Sequence, residues 1–162
     1  MPRGPRLSGR LLRRQRPWLR AAALLGALVV PACGPDAVTV LGAPPAPPAG
    51  CAPLLAALPP KLGGLAQRQV SPAGVSARAW GSPAVVLRCG VGVPAAARTA
   101  TAQYLTVDGL DWFEVNGPDA IGWTTPLRTP AVSLTVPRRY TDQTGVLGQA
   151  TEVVLAHTAA AR

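Results

Sequence analysis

The sequence predicts an α+β domain: a small antiparallel sheet with helices packed on one face, stapled by one disulfide. Two short runs, "AVVLRCGV" (84–91) and "AVSLTV" (131–136), are β-branched or alternating and are bounded by proline and glycine. Two other stretches, 51–58 and 141–158, repeat their leucines and valines at helical spacing. Strands followed by a terminal helix suit a sheet that buries one side beneath helices.

In chain order, "CAPLLAALPPKL" holds Leu54, Leu55 and Leu58 at helical spacing, with Pro53 suited to a first turn and Pro59-Pro60 ending the helix. "AVVLRCGV" lies between Ser82-Pro83 and Gly92 and reads as a central strand. In "QYLTVDGLDWFEV", extended runs flank Asp108-Gly109, the strongest short hairpin signal in the chain. "AVSLTV" sets Val132, Leu134 and Val136 against Ser133 and Thr135, one face buried and one polar, until Pro137 stops it. The last segment places Val146, Leu147, Ala150, Val153, Val154 and His157 on one helical stripe, with Thr141 or Asp142 as cap. Aromatic residues are few, so the core is expected to be aliphatic.

The first fifty residues have a different character. Residues 1–20 contain seven arginines and no acid, and 21–30, "AAALLGALVV", are apolar or small without interruption. A basic start, an apolar run of this length and a small residue before a cut site describe an export signal. The arginine excess also predicts that Met1 stays cytoplasmic while the bulk is exported. A spanning helix needs roughly 20 apolar residues, so an uncleaved anchor here is short. Val30, Ala32 and Cys33 resemble a lipobox, in which the cysteine thiol receives a diacylglyceryl group before cleavage. Pro31 is unusual in that motif, and Val30 and Ala32 also satisfy an ordinary signal peptidase.

The preferred organisation has three parts. Residues 1–32 are an export segment, 33–50 a lipidated N-terminus and Pro/Ala-rich tether, and 51–162 a single extracytoplasmic domain. Plain secretion and an uncleaved anchor are the alternatives. Two acyl chains on one residue meet the requirement for stable anchoring, and "APPAPPAG" favours an extended spacer. The expected location is the extracytoplasmic face of the cell membrane, or else the medium.

The net charge of +9 belongs mostly to the export segment. Seven of the sixteen basic residues precede Cys33, leaving nine against seven acids, or +2, for the rest. A basic stripe on the folded domain is the footprint of nucleic-acid binding, and this distribution excludes that class. Three cysteines in an exported chain leave one over. With Cys33 on lipid, Cys51 and Cys89 form an even pair in a compartment where disulfides persist; two buried free thiols are the alternative.

Chemistry is sparse. His157 is the sole histidine, and a zinc site has no ligand set without a second one or free thiols. Asp108, Asp111 and Glu114 lie within seven residues but not at the spacing of a calcium loop. As an acid–base pair they define the alternative reading, a cell-envelope hydrolase. "GVG" (90–92) is a fragment of a nucleotide fingerprint with no helix after it. No catalytic, cofactor or metal residue is assigned and no cofactor is expected. Trp80, Trp112 and Trp123 each sit beside turn signals: as core anchors, or, where exposed together, as a binding patch. Arg88, inside an apolar strand, pairs with a carboxylate such as Asp111 or Glu114 or lies on the sheet's second face.

At Ala79-Trp80-Gly81, Pro83 and Leu87-Arg88-Cys89-Gly90 the chain resembles the actinobacterial domain-of-unknown-function family 3515. Cys51, Leu58-Pro59, "VDGLDWF" (107–113), Thr124-Thr125, Arg128 and "VPRRY" (136–140) fit the same pattern. Members often carry aspartate where Ser82 stands here. The resemblance implies export or membrane anchoring and supports the Cys51–Cys89 pairing; it supplies no reaction. The functional expectation is a membrane-tethered, non-enzymatic domain, acting by binding or assembly on an envelope protein or ligand.

Overall fold

The computed structural model describes Met1 and residues 37–161; the export segment and Cys33 lie outside the described residues. In chain order come β1 (Val38–Thr39), α1 (Cys51–Ala57), β2 (Lys61–Leu62), β3 (Leu65–Arg68), β4 (Val70–Ser71), β5 (Ala77–Trp80) and β6 (Val85–Cys89). A 3-10 turn, Ala95–Arg98, precedes β7 (Leu105–Val107), β8 (Leu110–Asn116), β9 (Ala120–Thr124) and β10 (Arg128–Thr129). β11 (Val132–Pro137), α2 (Gln143–His157) and β12 (Ala159–Ala160) follow.

Eight strands form one sheet in the order β2-β3-β5-β6-β11-β9-β8-β7, antiparallel throughout. The sheet is wider than the small one expected. Two of its strands carry weak local signals: "ARAW" in β5 mixes alanine with arginine, and β9 has Gly122 at its centre. Pairing with β6 and β11 supplies what their own propensity does not. The Asp-Gly hairpin forms as expected, with Asp108 at φ 47° and Gly109 at φ 83° joining β7 to β8. Two successive positive φ values give the turn whose twist matches paired strands.

β6 sits near the middle of the sheet and is buried on both sides. Val85, Leu87 and Cys89 belong to the larger core, with Leu54 and Leu55 of α1, Val132, Leu134 and Val136 of β11, and Val146, Leu147, Ala150 and Val154 of α2. Alternate side chains point to opposite faces, so Val86 joins a second cluster with Val40, Val75, Ala77 and Ala79. Both helices feed the first core and neither feeds the second. α2 begins where the sequence places its cap: the Asp142 carboxylate accepts from Gly145 N at 3.0 Å.

A strap made of residues 38–50 covers the second cluster. β1 pairs in parallel with β4, matching Val38 to Val70 and Thr39 to Ser71. Val40 is buried, and Val40 N donates to Ser71 O at 2.9 Å. Farther along, Pro44 O accepts from Ser76 N at 2.9 Å and Pro48 O from Cys51 N at 3.0 Å. The slack connector expected over 34–50 is therefore corrected for residues 38–50, which are docked. Proline donates no N–H but keeps its carbonyl, and its fixed φ leaves less freedom to lose on ordering.

Gly90 is where the strap meets the sheet. Its φ is +76°, and an added Cβ would overlap the Pro48 ring. The left-handed backbone alone costs a substituted residue roughly 1–2 kcal/mol. Gly90→Ala is expected to lower unfolding free energy by at least about that amount, read from urea denaturation. Gly92→Ala, with nothing within 4 Å of its added Cβ and no positive φ, is the matched control and should leave the midpoint unchanged.

Candidate functional site

The three tryptophans among the described residues are core anchors. Trp80 and Trp112 are fully buried and Trp123 is 2% exposed, so they do not form an exposed patch. Each indole N–H also has a partner inside the protein. Trp80 Nε1 donates to Pro59 O, Trp112 Nε1 to Thr151 Oγ1 and Trp123 Nε1 to Glu114 Oε2, each at 3.0 Å. Burial of a large ring is favourable only when its polar tip is satisfied, and here all three tips tie one element to another.

The carboxylates at 108–114 do not converge. Asp108 occupies the hairpin turn. Asp111 Oδ1 accepts from Thr106 Oγ1 at 2.6 Å, and Glu114 accepts from Asn116 Nδ2 at 2.5 Å as well as from Trp123. Asp111 and Glu114 are three apart in β8, so they project from opposite faces. The acid–base pair of the hydrolase reading is not assembled. Among the described residues, no group of three His, Cys, Asp or Glu side chains is placed to hold a metal ion.

Arg88 takes neutral partners in place of a carboxylate. Its Nε donates to Leu41 O at 2.9 Å and its Nη1 to Thr135 Oγ1 at 3.1 Å. Partial burial lowers the guanidinium below its usual pKa. The side chain thus lies on the face that carries the strap and fastens Leu41 to β11's neighbourhood. Arg128 does a related job at the end of α2, where its guanidinium donates to Leu155 O, Thr158 O and Thr158 Oγ1. The last carbonyls of a helix lack internal partners and carry its negative dipole end, and a cation there answers both needs. The group that meets these carbonyls, Arg128, stands thirty residues before Thr158 in the chain.

Cys51 and Cys89 are bonded, with Cα atoms 5.7 Å apart. The motif residues around them serve the fold in the same way. Arg138 donates to Gly117 O at 2.9 Å and Asn116 Oδ1 at 2.8 Å, and Tyr140 OH to Pro83 O at 2.7 Å. Thr125, fully buried, accepts from Val132 N at 2.9 Å. The sequence profile of a family described as "Protein of unknown function (DUF3515)" matches residues 19–162. The chain belongs to this family. No curated protein and no solved structure matches it. Membership gives these clamps a common frame and leaves the activity to be argued from the surface.

Among the described residues, the surface holds the following concavities. A groove of about 740 Å³ runs beside α2, between Asp108 and Gln149, Glu152 and Leu155. On the helix's other flank, about 400 Å³ lies between Pro59, Lys61, Glu152 and His157. The third, about 420 Å³, is lined by Gln67, Arg68, Gln69, Ala73, Gly74 and Arg78 beside β4. No helix among the described residues is long and apolar enough to cross a membrane.

Two stability tests follow from the internal partners. Thr151→Val should cost about 1–3 kcal/mol by stranding Trp112 Nε1, while Thr151→Ser keeps most of the stability; chemical denaturation reads both. Reduction of the bridge, which closes a 38-residue separation, should cost about 3–4 kcal/mol on the chain-entropy account. A Cys51→Ser, Cys89→Ser double variant unaffected by reductant, set against a reductant-sensitive wild type, assigns that loss to this pair.

Proposed function

We propose that this chain is a membrane-tethered, extracytoplasmic binding domain of the cell envelope, anchored by lipid on Cys33, with no catalytic role. The observation that carries the reading is the Cys51–Cys89 bond, which persists in compartments outside the reducing cytosol. It fits the basic start, the apolar run at 21–30 and the Val30-x-Ala32-Cys33 cut site. The dispersal of Asp108, Asp111 and Glu114 removes the residues on which a hydrolase would rest. What remains is a rigid scaffold with surface concavities, suited to holding a protein partner or ligand in the envelope.

The docked strap sharpens the geometry of such a tether. β1 starts at Val38, five residues beyond Cys33. Fully extended, five residues span at most roughly 17 Å. A domain on that leash rides close to the bilayer surface rather than reaching across the envelope.

Cells fed an alkyne analogue of palmitate should label the wild-type protein and not a Cys33→Ala variant. Equal labelling of both, or of neither, overturns the lipid anchor. Recovery of unlabelled protein from the medium would instead support secretion.

A further inference from the structure

The outer end of the sheet leaves main-chain groups without a neighbouring strand. β7 pairs with only the first part of β8: Leu105 with Trp112, Thr106 with Asp111 and Val107 with Leu110. From Phe113 to Asn116, β8 pairs with β9 alone. Upstream of Leu105 the chain folds back on itself, with Ala102 N donating to Thr99 O at 3.1 Å and Tyr104 OH to Ala97 O at 2.8 Å. The last stretch of β8 is therefore an edge, and Glu114, Val115 and Asn116 are all exposed there.

Register fixes which groups face that edge. Gly117 N donates to Ala120 O at 3.0 Å, closing the β8–β9 hairpin in line with its ladder. Antiparallel strands exchange hydrogen bonds at every second residue, so Phe113 and Val115 spend their main-chain groups on β9. The N–H and C=O groups of Glu114 and Asn116 point the other way, into the row that β7 leaves at Leu105. Among the described residues, none of these four groups has a partner. The side chains beside them are apolar. Six large hydrophobic residues are exposed among the described residues, and Tyr104 (37%), Leu105 (39%) and Val115 (50%) stand at this corner. The Tyr104 and Phe113 rings meet edge to face with centroids 6.5 Å apart, and Val115 follows Phe113 on the same face.

We infer that this edge docks an extended tail of a partner protein, added to the sheet alongside Glu114, Val115 and Asn116. Main-chain donors and acceptors at strand spacing are matched by another extended main chain, and alternate apolar side chains of the guest cover Val115 and Phe113. A second copy of this chain fits the place less well. Its own β8 runs on into the Gly117–Ala120 hairpin, and two-fold pairing about Val115 sets the copy's Gly117 opposite Phe113, where Tyr104 already packs. The free run is the three residues 114–116, which suits a tail that stops or turns there. This step rests on the binding role proposed above and names the form in which the protein partner arrives.

Amide hydrogen exchange, followed by NMR on the isotope-labelled full-length protein in neutral detergent micelles, tests the edge. The probe is a capped peptide of alternating valine and threonine with a lysine at each end. Without it, the Phe113 and Val115 amides should exchange slowly and those of Glu114 and Asn116 at least about tenfold faster, because only the first pair is held in a ladder. Saturating peptide should slow Glu114 and Asn116 at least about tenfold and leave Phe113 and Val115 as they were. The same peptide N-methylated at every valine and threonine has lost its ladder donors and should protect neither. Val115→Lys sets a charge on the edge and should raise the peptide needed for half protection at least about tenfold. Leu127→Lys, at an exposed position outside this corner, should not. Slow exchange at Glu114 and Asn116 in dilute free protein, no protection by the peptide, equal protection by its N-methylated form, or an unchanged response in Val115→Lys each overturns the docking edge. Protection that rises with protein concentration alone assigns the edge to a second copy and overturns the partner tail. None of these readings depends on Cys33 labelling, so the tether and the edge fail separately.

Discussion

The bridge between Cys51 and Cys89 joins the first residue of α1 to the last residue of β6, at the point where the chain passes from one side of the sheet to the other. Before Cys51 the strap runs over Val86, Ala77 and Ala79, and Pro48 O accepts from Cys51 N as the strap ends. After Cys51 the helix buries Leu54 and Leu55 in the larger core. One covalent bond therefore holds both coverings to the strand they cover. Gly90 follows immediately, and only a residue without Cβ leaves room for the Pro48 ring above it. The strap, the helix and the central strand are three parts of one junction, and a change at any of them is felt at the other two.

The sequence was legible where one element alone decided the outcome. β11 alternates Val132, Leu134 and Val136 with Ser133 and Thr135, and period two admits no other element. Asp108-Gly109 supplies the two positive φ values that its turn demands. α2 announces itself by stripe and cap together. Legibility failed where a distant partner decides. A proline-rich stretch looks the same whether it is slack or docked, because its own φ is fixed in both states; only Val40 fitting against Ala77, Ala79 and Val86 makes it a strap. The tryptophans were ambiguous for the same reason. Their neighbours in sequence mark turns, whereas Pro59, Thr151 and Glu114, which accept from the indoles, lie far away or on another strand.

The candidate site divides along a similar line. Arg88, Arg128, Arg138 and Tyr140 look like functional residues in a chain so poor in charge, yet each ends on a backbone carbonyl or a neutral oxygen of another segment. With three satisfied indoles and a sheet covered on both sides near β6, these clamps explain why the motif is rich in polar and aromatic residues. The cavity beside β4 is built by β3, β4, β5 and the loop through Gly74 coming together, an arrangement that no local pattern encodes.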